Sequence, residues 1–127
     1  TSTLNGVVAQ RLVRTLCLHC RESYLALPEL VRELDLTRYA GKPEVTLYRP
    51  KGCPECGGSG YHGRTSLIEI LVISDPLRQV ILRRAQASEL HRAAVEEGMT
   101  TMFADGMAKA LAGVTTVEEV LRVTRDI

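Results

Sequence analysis

The sequence predicts an α+β fold in which a small cysteine-bearing module with short strands is followed by a helical bundle. Two Cys-x-x-Cys pairs lie 32 residues apart, alternating apolar residues flank the second pair, and helical periodicity begins at residue 74. The chain has 127 residues, of which 45% are hydrophobic, as is typical of globular proteins. With one Phe, four Tyr and no Trp, its core must be aliphatic.

The chain begins with a pattern that predicts an amphipathic helix over residues 1–16. Its apolar residues recur at three- and four-residue steps: Leu4, Val7, Val8, Leu12 and Leu16. Such a helix needs a partner surface. We therefore interpret the chain as a carboxy-terminal part of a larger protein.

The four cysteines predict a structural zinc site with Cys17, Cys20, Cys53 and Cys56 as ligands. The first knuckle (residues 17–20, CLHC) and the second knuckle (residues 53–56, CPEC) each offer two thiolates at zinc-ligand spacing. Glycines at 52 and 57–58 provide the tight turns with positive φ that such knuckles require. With four thiolates, the site has no open position for catalysis.

Other uses of the cysteines remain open at this stage. Iron takes the same ligand set, and two disulfides or a redox dithiol are further alternatives. His19 and His62 lie beside the knuckles, where we expect them to be exposed or to support the ligands. Arg21, Lys51 and Arg64 also flank the knuckles and can offset the negative charge of the thiolates.

The rest of the first half predicts one helix and two strands. Residues 27–36 predict a helix with Pro28 in its first turn, and residues 44–49 and 64–71 alternate as strands. We expect these two strands to form a ribbon-like hairpin with the metal at its tip.

Four helices are predicted after residue 74. Ser74 and Ser88 are N-cap candidates, Gly98 and Gly113 are stop signals, and Thr116 with Glu119 has capping-box spacing. A buried stripe is expected to contain Met102, Phe103, Met107, Ala110 and Leu111. A second contains Val117, Val120 and Leu121. Gly106, inside a helical pattern, indicates close packing.

The sequence contains no pattern that indicates catalysis or nucleotide binding. It has no phosphate-binding glycine loop, zinc-protease motif or nucleophile elbow, so we assign no catalytic or cofactor-binding residue. The formal net charge is +1, which argues against a nucleic-acid partner. No apolar run is long enough to predict a transmembrane segment, and we expect a cytosolic location.

Three stretches together resemble the secretion and pilus-assembly ATPases of the GspE/PulE family. They are LNGVVAQRLVRTLCLHC, LYRPKGCPECGGSGYHGRTSLIEIL and GMTTMFADGMAKALAGVTTVEEVLRVT. The ending EEVLRVTRD and the long insertion between the cysteine pairs favour the type II secretion branch over the type IV pilus branch.

The resemblance implies a division of the chain into three parts. Residues 1–16 would end a RecA-like ATPase domain, 17–72 would form the tetracysteine zinc module, and 73–127 a carboxy-terminal helical subdomain. The ATP and Mg²⁺ site of the parent protein would lie upstream, so this part alone is expected to be inactive. The implied partners are neighbouring subunits of a homohexamer and the cytoplasmic domains of an inner-membrane platform.

Two other classes remain as alternatives. CPECGGSG matches the zinc repeat of DnaJ-type chaperones, but CLHCRESY does not. A nucleic-acid-binding zinc ribbon would need a basic, aromatic face, which the near-neutral charge disfavours.

Overall fold

The computed structural model describes residues 6–72, 75–83, 86–96 and 99–124. These residues form a mixed α+β structure. Its strands are β1 (Gly6–Leu16), β2 (Glu22–Leu25), β3 (Thr46–Arg49) and β4 (Tyr61–Val72). Its helices are α1 (Pro28–Leu34), α2 (Leu36–Ala40), α3 (Asp75–Leu82), α4 (Ala87–Glu96), α5 (Met102–Leu111) and α6 (Val117–Thr124).

Two antiparallel pairs of strands form the framework. β1 pairs with β4 from Gly6 opposite Val72 to Leu16 opposite Tyr61. β2 pairs with β3 from Glu22 to Leu25. The predicted strands at 44–49 and 64–71 are confirmed as β3 and β4, but the predicted hairpin between them is wrong. β4 pairs instead with β1, and β3 with β2, so that each partner strand adjoins the first knuckle. When the two knuckles come together, the strands that enter and leave them are aligned as well.

The predicted amino-terminal helix is also wrong over the described residues, because 6–16 is the strand β1. Val13 is fully buried on one face, whereas Val8 and Leu12 are exposed on the other. Apolar residues on both faces of a strand produced the three- and four-residue spacing of a helix. The predicted residues 1–5 lie outside the described part of the chain.

One main cluster of buried residues joins the strands to the last two helices. It contains Val13, Leu36, Val45, Leu47, Leu67, Met102, Met107, Ala110, Val117 and Val120. The predicted stripes of α5 and α6 therefore do face a core, with Phe103, Leu111 and Leu121 partly buried against it. That core is shared with the sheets, so the prediction of a separate bundle is wrong for these two helices.

Helices α3 and α4 contact each other, apart from the main core. A small satellite cluster centres on Ala94 of α4 and includes Leu71 of β4 and Met99. Ser88 lies in the first turn of α4, which begins one residue earlier. Ser74 and Gly98, the other predicted start and stop signals here, lie outside the described residues.

Gly106 confirms the predicted close packing of α5. A β-carbon at this position would lie 2.9 Å from Val120 Cγ2 in α6 and 3.0 Å from Leu67 Cδ1 in β4. Helices and strand thus meet where only a hydrogen fits. The stop at Gly113 is confirmed as well, since this residue has φ of 79° just after α5.

Candidate metal centre

The four cysteines predicted as metal ligands lie together. Their sulfur atoms are all within 4.8 Å of one another, and none forms a disulfide. Cys17 Sγ lies 3.7 Å from Cys53 Sγ, Cys20 Sγ lies 3.9 Å from Cys56 Sγ, and the sulfurs of Cys53 and Cys56 are 3.7 Å apart. The structure therefore forms one cluster from two distant knuckles.

The cluster lies where the chain passes between the two sheets. The first knuckle follows β1 and leads into β2, while the second knuckle lies between β3 and β4. Because β1 pairs with β4 and β2 with β3, the ends of all four strands converge on the sulfurs. Cys17 and Cys20 are buried, and Cys53 and Cys56 are half-buried.

Backbone N–H groups point at two of the sulfurs. Gly52 donates to Cys20 Sγ at 3.3 Å. Cys56 Sγ accepts from Cys53 at 3.3 Å and from Gly60 at 3.2 Å. These donors stabilise thiolates, the form in which cysteine binds metal.

The two cysteines of the second knuckle have opposite pKa shifts. Burial raises the pKa of Cys56, but the N–H groups of Cys53 and Gly60 lower it by more, to about 6. Burial, together with hydrogen bonds to the neighbouring thiols, raises the pKa of Cys53 to about 11. The hydrogen bond from the Cys56 N–H lowers this pKa, but by less. The N–H groups that point at Cys56 Sγ therefore favour its thiolate, the form in which cysteine binds metal.

The geometry fits a zinc ion. Zn–S bonds of about 2.3 Å in a regular tetrahedron separate the sulfurs by about 3.8 Å. The three close sulfur pairs span 3.7–3.9 Å. The cluster can therefore bind a metal such as zinc with little rearrangement, and a tetrathiolate fills every coordination position.

A bulge lies near the start of β4, where the chain leaves the second knuckle. Arg14 is opposite Arg64 and Leu16 is opposite Tyr61, so His62 and Gly63 together face Thr15. Gly63 has φ of 77°, which favours glycine. The extra residue lets the strand turn towards the cysteines.

The polar residues beside the knuckles do not join the cluster. His19 and His62 are exposed, as expected. Among the described residues, the group that could bind a metal consists of the four cysteines. Arg21 donates from Nη1 to the Gly113 carbonyl at 2.6 Å and lies 4.9 Å from the Tyr48 ring. Lys51 and Arg64 are exposed, and their predicted role in offsetting charge stays a prediction.

Sequence reasoning missed a buried carboxylate that binds β1 just before the first knuckle. Glu119 of α6 is 2% exposed and accepts hydrogen bonds from the backbone N–H of Arg14 at 2.8 Å and its Nη2 at 3.0 Å. It also accepts from Arg122 Nη2 at 3.1 Å. Burial raises the pKa of Glu119, but the hydrogen bonds from Arg14 and Arg122 lower it by more, to about 2.

The sequence signal at Glu119 indicated a capping box, which is only half formed. The Glu119 N–H donates to Thr116 Oγ1 at 3.2 Å, as a cap predicts. The carboxylate does not reach back along the helix but binds β1. A Glu with two arginines that lie far apart in the sequence gives no local pattern that would reveal this.

Together, the fold and the cluster define a mixed α+β structure with four clustered cysteines that could bind a metal such as zinc. A family model described as "Type II/IV secretion system protein" matches residues 1–122. The chain therefore belongs to this family, which confirms the resemblance and replaces the chaperone and nucleic-acid alternatives.

Several named relatives are similar along almost the whole chain. Type II secretion system protein E of Xanthomonas campestris is 49% identical over 99% of the chain, and Type II secretion system ATPase E of Vibrio cholerae is 42% identical over 99%. Type IV pilus assembly ATPase PilB of Thermus thermophilus is 43% identical over 98%. The chain spans only 22%, 24% and 14% of these relatives, respectively.

A final observation concerns membranes. Among the helices of the described residues, none combines the length and apolar character needed to cross a bilayer.

Proposed function

We propose that this chain is the carboxy-terminal zinc-binding portion of a cytosolic hexameric ATPase that powers type II protein secretion. The observation that carries this proposal is the 49% identity over 99% of the chain with a type II secretion system protein E. The nucleotide site, with its ATP and Mg²⁺, would lie in the remaining part of the parent protein. This part would serve structure, subunit contact and docking.

A type IV pilus assembly ATPase is the second candidate, supported by the 43% identity to PilB. The two candidates predict different phenotypes. A bacterium that lacks the full-length gene should lose export of its type II substrates but keep its pili. Loss of pili with normal export would instead support the pilus candidate.

The proposed metal is one structural Zn²⁺ bound by Cys17, Cys20, Cys53 and Cys56. Elemental analysis of purified protein should give about one zinc per chain. The C17S and C53S variants should each lose the metal because each removes a ligand from a different knuckle. Stoichiometric iron, or no metal, would contradict the assignment.

The outer face of the β1–β4 sheet supports the proposal that more protein packs against this part. Val8 and Leu12 of β1 are 65% and 52% exposed, and Ile68 and Ile70 of β4 are 40% and 51% exposed. Val8 lies opposite Ile70, so these side chains form one apolar surface. In the parent protein, we propose that this surface packs against the ATPase domain, to which residues 1–16 would belong.

The free edge of β1 supports the same arrangement. The edge near its end is blocked, because Glu119 accepts the Arg14 N–H and the Leu16 N–H donates to the Val114 carbonyl. On β4, Asp105 accepts the Ile68 N–H at 2.8 Å. Within the described residues, β1 has no second strand beside it, so its early part is open to a further strand from the parent.

Polar substitutions on this surface test the arrangement. L12S and I70S should leave the fold of this chain intact, because both side chains are exposed in it. In the full-length protein, the same changes should lower the unfolding temperature, because both side chains would be buried there. L27S is the matched control, since Leu27 is 68% exposed just before α1, away from this surface and from the knuckles. Equal effects of all three variants in both proteins would contradict the proposal.

The proposed partners are neighbouring subunits and the cytoplasmic domains of the inner-membrane platform, which would place the protein peripherally at that membrane. If the zinc module serves docking, the C17S variant of the full-length protein should lose secretion while retaining ATP hydrolysis. Normal secretion in a variant shown to lack zinc would contradict a docking role. Charge reversal of the exposed Glu55 or Arg64 tests whether the surface of the module itself contacts a partner.

A further inference from the structure

We propose that Glu119 of α6 is a positioning residue for the metal centre and acts through Tyr61 and Gly60. This inference rests on the proposed zinc site. Glu119 contacts no cysteine, so its influence must pass through the residues between them. A chain of contacts through Arg14, Thr116, Tyr61 and Gly60 connects it to the cysteines.

Gly60 is the contact nearest the metal centre. Its N–H donates to Cys56 Sγ at 3.2 Å, and its carbonyl accepts from the Cys17 N–H at 2.9 Å. One residue thus contacts a ligand residue in each knuckle through its two flanking peptide groups. Gly60 has φ of 82°, and a β-carbon there would overlap Pro50, so only glycine fits at this position.

Tyr61, the first residue of β4, follows Gly60 directly and holds it in place. Its hydroxyl lies 3.2 Å from Thr116 Oγ1, and the Arg14 guanidinium carbon lies 4.0 Å from its ring centre. Both contacts lead to Glu119. Its N–H binds Thr116 Oγ1, and its carboxylate holds the guanidinium of Arg14.

Glu119 is therefore the common anchor of both contacts, through its N–H to Thr116 and through its carboxylate to Arg14. It is buried and accepts from the backbone of β1 as well as from the Arg14 and Arg122 side chains. Without its charge, the Arg14 guanidinium loses its fixed place over Tyr61. Tyr61 and the Gly60 peptide then gain freedom, and the hydrogen bond to Cys56 Sγ weakens. Residues that orient metal ligands in this way typically affect metal affinity by about 10–100-fold.

Zinc transfer to a chromophoric chelator tests the proposal on the metal-loaded protein. E119Q and Y61F should release zinc at least about tenfold faster than wild type. The Co²⁺-substituted variants should show altered ligand-field spectra, a signature of changed coordination geometry. Neither readout depends on ATP hydrolysis.

The matched control is D105N. Asp105 of α5 also accepts a backbone N–H from the same sheet, that of Ile68, and pairs with Lys109 at 2.8 Å. It lies next to the middle of β4 rather than beside the cysteines. D105N should lower the unfolding temperature yet release zinc at the wild-type rate. Equally fast release from D105N and E119Q would show that the effect is general loss of stability and would overturn the proposal.

A second pair of variants keeps the proposal testable if E119Q does not fold. T116V removes the hydroxyl that joins Tyr61 to Glu119, whereas T116S retains it. T116V should release zinc faster, and T116S should restore the wild-type rate. Bound zinc with equal release rates in all variants would overturn this inference alone. Absence of stoichiometric metal from wild type would overturn the proposed zinc site and this inference with it.

Discussion

At the scale of single residues, Glu119 makes stability depend on acid pH. Its pKa is about 2 in the folded protein against 4.5 when unperturbed. Because the folded value is the lower one, the carboxylate stabilises the fold above about pH 4.5, and this contribution is lost as the pH falls towards 2. The shift corresponds to about 3 kcal/mol at neutral pH, as an order of magnitude.

Urea unfolding of wild type and E119Q at pH 7 and pH 3 checks this dependence. At pH 7, wild type should be more stable by about 3 kcal/mol or less, since the glutamine retains part of the hydrogen bonding. At pH 3, the difference should be smaller, because part of the wild-type carboxylate stabilisation is already lost. An equal difference at both pH values would contradict the assigned pKa.

Gly106 gives a second prediction at this scale. The G106A variant places a methyl group against Val120 and Leu67, so we expect the free energy of unfolding to fall by about 1–3 kcal/mol. The double variant G106A/V120A should recover part of the loss, because shortening Val120 makes room. Thermal unfolding of both variants and of V120A alone measures this coupling. Strictly additive effects would contradict the assigned contact.

At the scale of elements, the start of α5 shows how local chemistry and tertiary contacts combine. The Thr101 hydroxyl accepts the Ala104 N–H at 3.0 Å, and Glu69 of β4 accepts the Met102 N–H at 2.9 Å. Two side chains, one local and one from the sheet, thus accept two N–H groups of the first turn. The cap ties the helix to the strand on which it packs.

T101A should therefore lower the free energy of unfolding by about 0.5–2 kcal/mol. S88A is the control, because Ser88 lies inside α4 and is exposed, where alanine is the better helix former. Urea unfolding of the two variants should show a loss for T101A and little or no loss for S88A. Similar losses would argue against the cap.

Comparison with the sequence prediction is most instructive for β1 and β4. The four clustered cysteines and the buried apolar stripes of α5 and α6 could be predicted, because Cys-x-x-Cys spacing and helical periodicity are local signals. The strand β1 could not, since Val8, Leu12 and Leu16 recur at four-residue steps, a spacing that a helix and a strand share. The pairing of β1 with β4 and the Arg14–Glu119 contact depend on residues far apart in sequence, for which one sequence gives no signal.

At the scale of the whole molecule, the metal centre and the hydrophobic core share the same strands. Val13 of β1 and Leu67 of β4 belong to the main core together with Met107 and Val120, and both strands end at the knuckles. Removal of the proposed zinc ion should therefore weaken the core as well as the knuckles. The domain boundaries at residues 16 and 72 stay a prediction.

Chelation followed by hydrogen exchange checks this coupling. After zinc removal, amides of β4, α5 and α6 should lose part of their protection together with those of the knuckles. Re-addition of zinc should restore all of them. If α5 and α6 stay protected while the knuckles exchange, the metal module and the helices are energetically separate.

The extra residue at His62 and Gly63 determines how well β4 tolerates the deletion of a residue. In a strand, side chains alternate between faces, so deleting one of these two residues would restore uniform pairing and reverse the facing of everything before it. Tyr61 would then turn away from Thr116, and Gly60 would present its peptide to the wrong side. The extra residue thus shifts the alternation of side chains within β4. Alternate residues after the bulge face the core, and residues before it keep the orientation that the contacts beside the cysteines need. Loss of a single residue there should be more damaging than most substitutions nearby.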